Sequence, residues 1–214
     1  MTDILRLDPT LPAAAAIVAA ALVLKAGGVV VLPTDTVYAV AADLNDAAAV
    51  RRIYQLKNRP DAKALPVLIG DRGQLDELAA DVPPAAAALL DYYWPGPLTL
   101  IFNKKPGAAA AASAGLPTVA VRMPGTMICQ AILAEAGTPL ASSSANLSGG
   151  IPPRDLADVA PAITAGVDLI VDGGVCPDGQ ASTILDVSGP IWRVLRQGRV
   201  TRAAIETAVG RVVK

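Results

Sequence analysis

Residues 29–40 read VVVLPTDTVYAV, and the point where the apolar run stops decides how the chain folds around it. Val29, Val30, Val31 and Leu32 have no polar residue between them. That is the pattern of a strand buried on both faces, since a half-exposed strand alternates. Pro33 supplies no main-chain N–H and ends the ladder. Thr34, Asp35 and Thr36 follow directly. Three polar side chains just beyond a buried strand read equally as a turn that bonds its own backbone or as groups shown to a ligand.

Working outward, residues 12–26 form a predicted Ala-rich helix that ends at Lys25 and the glycines Gly27 and Gly28. It is too short for the roughly 20 residues of a membrane span, and the acidic leader MTDILRLD is wrong for a signal peptide. Downstream, Asp46 caps a predicted helix over 46–57 that places Val50, Ile53, Tyr54 and Lys57 on one side. Strands are predicted over 64–70, 96–104, 118–124, 139–145, 167–174, 182–188 and 191–198. Helices are predicted over 73–82, 84–94, 126–137, 156–163 and 201–213, and a loop over 105–117. Strands and helices interleave throughout, which implies an α/β fold: a twisted, mostly mixed sheet flanked by helices. The 214 residues suit one domain, and no repeat or linker breaks them.

Composition narrows the chemistry. The chain contains no histidine, which removes the usual general base, the usual triad and most zinc sites. Cys129 and Cys176 are far apart in sequence and fit a reducing cytoplasm. A formal net charge of −1 argues against general affinity for nucleic-acid phosphates, so any anion site is local.

The polar groups that follow or punctuate the strands are cations and hydroxyls. Lys57, Arg59 and Lys63 lie in KNRPDAK; Arg122 lies in a strand between Val121 and Met123. Ser142, Ser143, Ser144, Asn146 and Ser148 lie in SSSANLSG; Ser182 and Thr183 precede one strand and Arg196 ends another. Lysine offers a point charge and arginine a two-pronged donor for phosphate or carboxylate. Such a set positions and neutralises anions, as phosphoryl- and nucleotidyl-transfer sites do. Each feature also has a plain reading. KNRPDAK reads as a solvated loop, Arg122 as half of a structural ion pair, SSSANLSG as helix capping and Trp94–Pro97 as a packing corner. Neither GxxxxGK[ST] nor a strand-borne GxGxxG is present.

In order, PTDTVYAV, KNRPDAKAL, WPGPLTLIF, VAVRMP, SSANLSG, STILDV and VLRQG resemble the YrdC-like family, the threonylcarbamoyl-AMP synthases, in its short form. The resemblance implies a concave, positively charged cleft. It also implies a reaction: L-threonine, bicarbonate or CO2, and ATP, assisted by Mg2+, give threonylcarbamoyl-AMP and pyrophosphate. The product feeds t6A modification at position 37 of tRNA, through downstream transfer proteins. By the same resemblance Thr36, Arg122, Ser142 and Ser182 hold threonine. Lys57, Arg59, Lys63, Thr118, Ser144, Asn146 and Arg196 meet ATP, with Lys57 and Arg59 catalytic and no protein-bound metal.

The chain departs from the family pattern at Ala39, where relatives carry glycine, and at Leu68, where many carry histidine. It also departs at Lys63-Ala64-Leu65, in place of KPL, and at Pro152, where longer relatives have a nucleotide-facing serine. Alanine at 39 is strained if the position needs positive φ. Two other readings compete: an RNA-binding module, which the seven aromatic residues disfavour, and a paralogue using another acyl or carbamoyl acceptor.

Overall fold

The computed structural model describes residues 2–210 and 213–214. Among them ten strands form one sheet. In chain order these are β1 (Asp3–Arg6), β2 (Val30–Leu32), β3 (Ala39–Asp43), β4 (Val67–Leu68), β5 (Leu98–Asn103), β6 (Thr118–Arg122), β7 (Leu140–Ser144), β8 (Leu169–Asp172), β9 (Thr183–Asp186) and β10 (Arg193–Arg196). The helices are α1 (Ala14–Lys25), α2 (Ala47–Lys57), α3 (Gly73–Leu78), α4 (Pro84–Tyr93), α5 (Met127–Ala136), α6 (Pro161–Gly166) and α7 (Arg202–Val209). Across the sheet the order is β1-β8-β2-β3-β7-β4-β6-β5-β9-β10. The pairing is mixed: β1–β8, β2–β8, β4–β6 and β5–β9 are parallel, and the other neighbours are antiparallel.

The uninterrupted apolar run of β2 has the predicted cause. Val30 and Leu32 pack with Ile17, Ala20 and Leu24 of α1 and with Ile128, Ile132 and Leu133 of α5. Val29 and Val31 point the other way, into a core with Val50 and Ile53 of α2 and Leu89 of α4. Full burial of each such aliphatic side chain is worth about 1.5–3 kcal/mol. Helices therefore cover both faces, as expected for a strand with no polar side.

Helix α2 begins as its sequence dictates. The Asp46 carboxylate accepts from the N–H groups of Ala48 and Ala49 at 2.9 and 3.0 Å. It ends where Asn58 turns left-handed at φ 48°, a conformation asparagine tolerates better than most residues. Its buried face is Ala49, Val50, Ile53, Tyr54 and Lys57.

Several expectations change. β1 was not foreseen; it is an outermost strand, largely exposed, with no alternation to betray it. β3 was not foreseen either, because Ala39–Asp43 is mostly alanine and its strand state comes from pairing with β2 and β7. The strand over 64–70 shrinks to Val67–Leu68, preceded by Pro66, which cannot donate. The helix over 73–82 stops at Leu78, because Ala79 bridges to Lys104. The helix over 156–163 divides into a short 3-10 turn (Leu156–Asp158) and α6. The break falls at Ala160, which the following Pro161 pushes to ψ 132°. α7 closes at Gly210, and residues 211–212 of the predicted helix lie outside the described residues.

The sheet ends differ. β1 carries exposed Asp3 and Arg6, the latter 3.6 Å from Asp172. On β10, Val194 N–H donates to the Lys214 carbonyl at 2.7 Å, and Lys214 N–H returns to Trp192 at 2.9 Å. Beyond β10, Gly198 packs against the entry to β9. A β-carbon there would stand 2.5 Å from the Thr183 nitrogen and 2.7 Å from the Ser182 carbonyl carbon.

Asp46→Ala is expected to lower stability by about 1 kcal/mol, read as a fall in urea midpoint at constant m. Gly198→Ala is expected to cost about 1–3 kcal/mol, because the obstacle is backbone and has little room to yield. The same urea titration checks it.

Candidate active site

The turn after β2 serves both readings at once. Thr34 bonds its own backbone: its hydroxyl donates to the Val37 carbonyl at 2.7 Å and accepts from the N–H groups of Thr36 and Val37 at 3.2 Å. The Thr36 hydroxyl lies 2.9 Å from that of Thr34 and accepts from Arg122 Nη1 at 2.7 Å. Asp35 supplies the counter-charge. Its Oδ1 accepts from Arg122 Nη2 at 2.5 Å and from Gly125 N–H at 2.8 Å. Arg122 Nε donates to the Gly96 carbonyl at 3.0 Å. These contacts use three of the guanidinium's five N–H donors and leave two for a ligand. The ion-pair reading of Arg122 and its candidacy for the site therefore coexist.

Arg122 stands in the wall of a cavity of about 170 Å³, or about 720 Å³ with its open mouth. Thr36, Arg59, Arg122, Ser142, Ser144, Ser182 and Arg196 line it together. Strand ends bring them there: Arg122 closes β6, Ser144 closes β7, Ser182 precedes β9, and Arg196 closes β10. The seven divide by depth. Thr36, Arg122, Ser142 and Ser182 are all buried. Arg59 and Ser144 are half-buried, and Arg196 is exposed. Among the described residues no carboxylate lines this cavity.

The cations are braced. Arg59 Nε and Nη2 donate to the carbonyls of Lys63 and Ala64 at 2.9 and 2.6 Å, so KNRPDAK is tied together by its own arginine, while Asn58, Pro60, Asp61, Ala62 and Lys63 are exposed, as in a solvated loop. Arg196 Nε and Nη2 donate to the carbonyl and hydroxyl of Ser182 at 2.9 and 3.1 Å. The Ser182 hydroxyl also lies 2.8 Å from that of Thr99. Although Arg196 as a whole residue is exposed, its guanidinium lies part-buried against Ser182, and this desolvation lowers its pKa, with the charge of Arg122 pushing the same way. Burial also lowers that of Arg59.

Four of the expected residues lie off the cavity lining. Lys57 is fully buried, and its ammonium donates to the main-chain carbonyls of Ser144 and, at 2.5 Å, Asn146. Burial, and then the neighbouring charge of Arg59, pulls its pKa down to about 8. The Asn146 amide nitrogen donates to the carbonyls of Leu147 and Gly150, both at 2.8 Å. It thus pins a turn, and SSSANLSG does not cap a helix. Thr118 opens β6 opposite Asn103, and the side chain of Lys63 is exposed. Asp35, Thr99 and Ser143 were not singled out for roles. Asp35 had a signal, because a buried arginine demands a nearby acid.

The departures also have places. Ala39 and Leu68 both line the cavity. Ala39 is ordinary strand, paired with Leu32 and Ser144, and is not among the residues with positive φ. Pro152 lies off the cavity wall. Trp94 packs at the expected corner, with Nε1 donating to the Leu98 carbonyl at 2.7 Å.

Comparison with known proteins gives this geometry a context. A family model described as Telomere recombination, and named for Sua5, YciO and YrdC, matches residues 22–198. The threonylcarbamoyl-AMP synthase of Bacillus subtilis (strain 168) is 40% identical over 95% of this chain, which spans only 57% of that protein. A relative from Mycobacterium tuberculosis (strain H37Rv) is 36% identical over 91% of this chain and 89% of its own. The crystal structure of P. abyssi Sua5 complexed with L-threonine matches with a TM-score of 0.95 at 34% identity, over 99% of this chain and 62% of that one. With most of its length matched by the family model, and with relatives this similar, the chain belongs to the Sua5/YciO/YrdC family.

Proposed function

We propose that this chain is a threonylcarbamoyl-AMP synthase. It takes L-threonine, bicarbonate or CO2, and ATP, and releases pyrophosphate, acting in the cytoplasm as one domain. The product serves t6A modification of tRNA by downstream transfer proteins. The observation that carries the reading is the division of the cavity by depth. The buried groups, Thr36, Arg122, Ser142 and Ser182, form a pocket of amino-acid size. The partly exposed groups, Arg59, Ser144 and Arg196, stand where a larger anion would lie across the opening. The names of the relatives and the threonine complex of the P. abyssi protein support the same assignment.

The residues act by position and charge. Arg122 has two N–H donors left, enough to clamp an α-carboxylate, and Asp35 holds it in place. The threonine amine captures CO2, and the resulting carbamate oxygen attacks the α-phosphorus as pyrophosphate departs. Nucleophile and electrophile are both anions, so their approach is opposed. Three guanidinium groups around the cavity, against the one carboxylate behind Arg122, leave an excess of positive charge to offset that repulsion. Holding both reactants in one cavity offsets the entropy of bringing them together. Among the described residues no three cysteine, aspartate or glutamate side chains gather as a metal site. Mg2+ would accompany ATP as its counter-ion and would lower the charge on the phosphates.

Purified chain with ATP, Mg2+, bicarbonate and threonine should yield the adenylate by mass spectrometry, with stoichiometric pyrophosphate. Pyrophosphate release that depends on another amine and not on threonine would point to a different acceptor. Arg59→Lys keeps the charge but loses the two contacts to residues 63 and 64. It is expected to raise KM for ATP about tenfold or more while leaving KM for threonine nearly unchanged.

A further inference from the structure

Lys57 stands on the face of α2 whose other members are Ala49, Val50, Ile53 and Tyr54, and it is buried as completely as they are. An ammonium in such a place requires acceptors. It has two, the carbonyls of Ser144 and Asn146. The helix is tied to the same segment a second time, because Ser148 N–H donates to the Lys57 carbonyl at 2.8 Å. The Asn146 amide closes the turn from within, through Leu147 and Gly150. Residues 144–150 are thus fastened to the end of α2 by a side chain and by the main chain. Ser144 lies in the cavity wall, whereas Lys57 does not.

We propose that Lys57 is a positioning residue: by bonding the two carbonyls at the end of β7, its buried ammonium holds the Ser144 hydroxyl at the cavity mouth, where the nucleotide phosphates bind. This rests on the proposed function. The charge of Lys57 is spent on the protein's own backbone, and its effect on ATP passes through Ser144. An apolar residue would complete the buried face of α2 equally well but would leave the Asn146 carbonyl without the ammonium and the Ser144 carbonyl with only the Asn146 N–H, 2.9 Å away. The turn would then lose its register while the core stayed filled.

A double-mutant cycle on the full chain tests this. Lys57→Met, Ser144→Ala and the double variant are compared in the adenylate assay, with KM and kcat measured for ATP and for threonine. Threonine binding by calorimetry and the urea midpoint are followed alongside. Lys57→Met is expected to raise KM for ATP about tenfold or more and to leave threonine affinity within about twofold. The double variant is expected to be no worse than the worse of the two single variants. Lys57→Gln, which keeps two N–H donors without the charge, should recover part of the loss, and it carries the comparison if Lys57→Met does not fold. Multiplying losses in the double variant would overturn the inference, because Lys57 would then act on the nucleotide independently of Ser144. Parallel loss of threonine affinity and of stability would overturn it as well, by showing a general structural role. A wild-type chain that makes no adenylate would instead overturn the proposed function before any variant is compared.

Discussion

An arginine cannot leave water without a counter-charge and acceptors for its donors, and the centre of this molecule is arranged around that requirement at Arg122. Two separate segments meet it where β6 delivers the arginine: Asp35 and Thr36 from the turn after β2, and the Gly96 carbonyl from the Trp94–Pro97 corner. Asp35 also receives Gly125 N–H, so the same carboxylate fastens the chain just beyond β6. Breaking such a buried pair typically costs about 3–5 kcal/mol, because the charge left behind has no solvent. The pair therefore joins stability to recognition, since the donors that hold the fold belong to the guanidinium that faces the cavity.

Around that centre the sheet brings together residues that the chain keeps far apart. Arg59 follows a helix, Ser142 and Ser144 come from β7, and Ser182 and Arg196 come from β9 and β10 or their edges. Arg59 and Arg196 are held by backbone acceptors, Ser142 and Ser144 by ladder pairing, and Ser182 by the Thr99 hydroxyl and Arg196. Groups held this way need little further ordering when a ligand arrives, which is what a site that works by alignment requires.

Much of this was legible in the sequence where a local rule had one answer. The run Val29–Leu32, the Asp46 cap and the periodicity of 46–57 each specified an element, and the structure contains it. Ala39–Asp43 and Asp3–Arg6 were illegible because neither carries β-branched or alternating residues through its length; neighbours impose the strand. In the cavity, cations and hydroxyls beyond strand ends could be picked out by type. Burial depth could not, and it is depth that separates Arg122 from Arg196 and sends Lys57 beneath the wall. Ala39 teaches a similar lesson. A glycine-to-alanine departure looks costly only until the position proves to be extended strand.

The two outer strands bear on how the molecule keeps company with itself. An open sheet offers its unpaired N–H and C=O groups to any strand that drifts by, and copies of one chain are the most abundant candidates. Here one border is short and carries charges of both signs, and along the other Lys214 has already taken up ladder bonds beside Trp192 and Val194. Both borders thus carry features that discourage a further strand from adding, which a net charge of −1 does little to oppose.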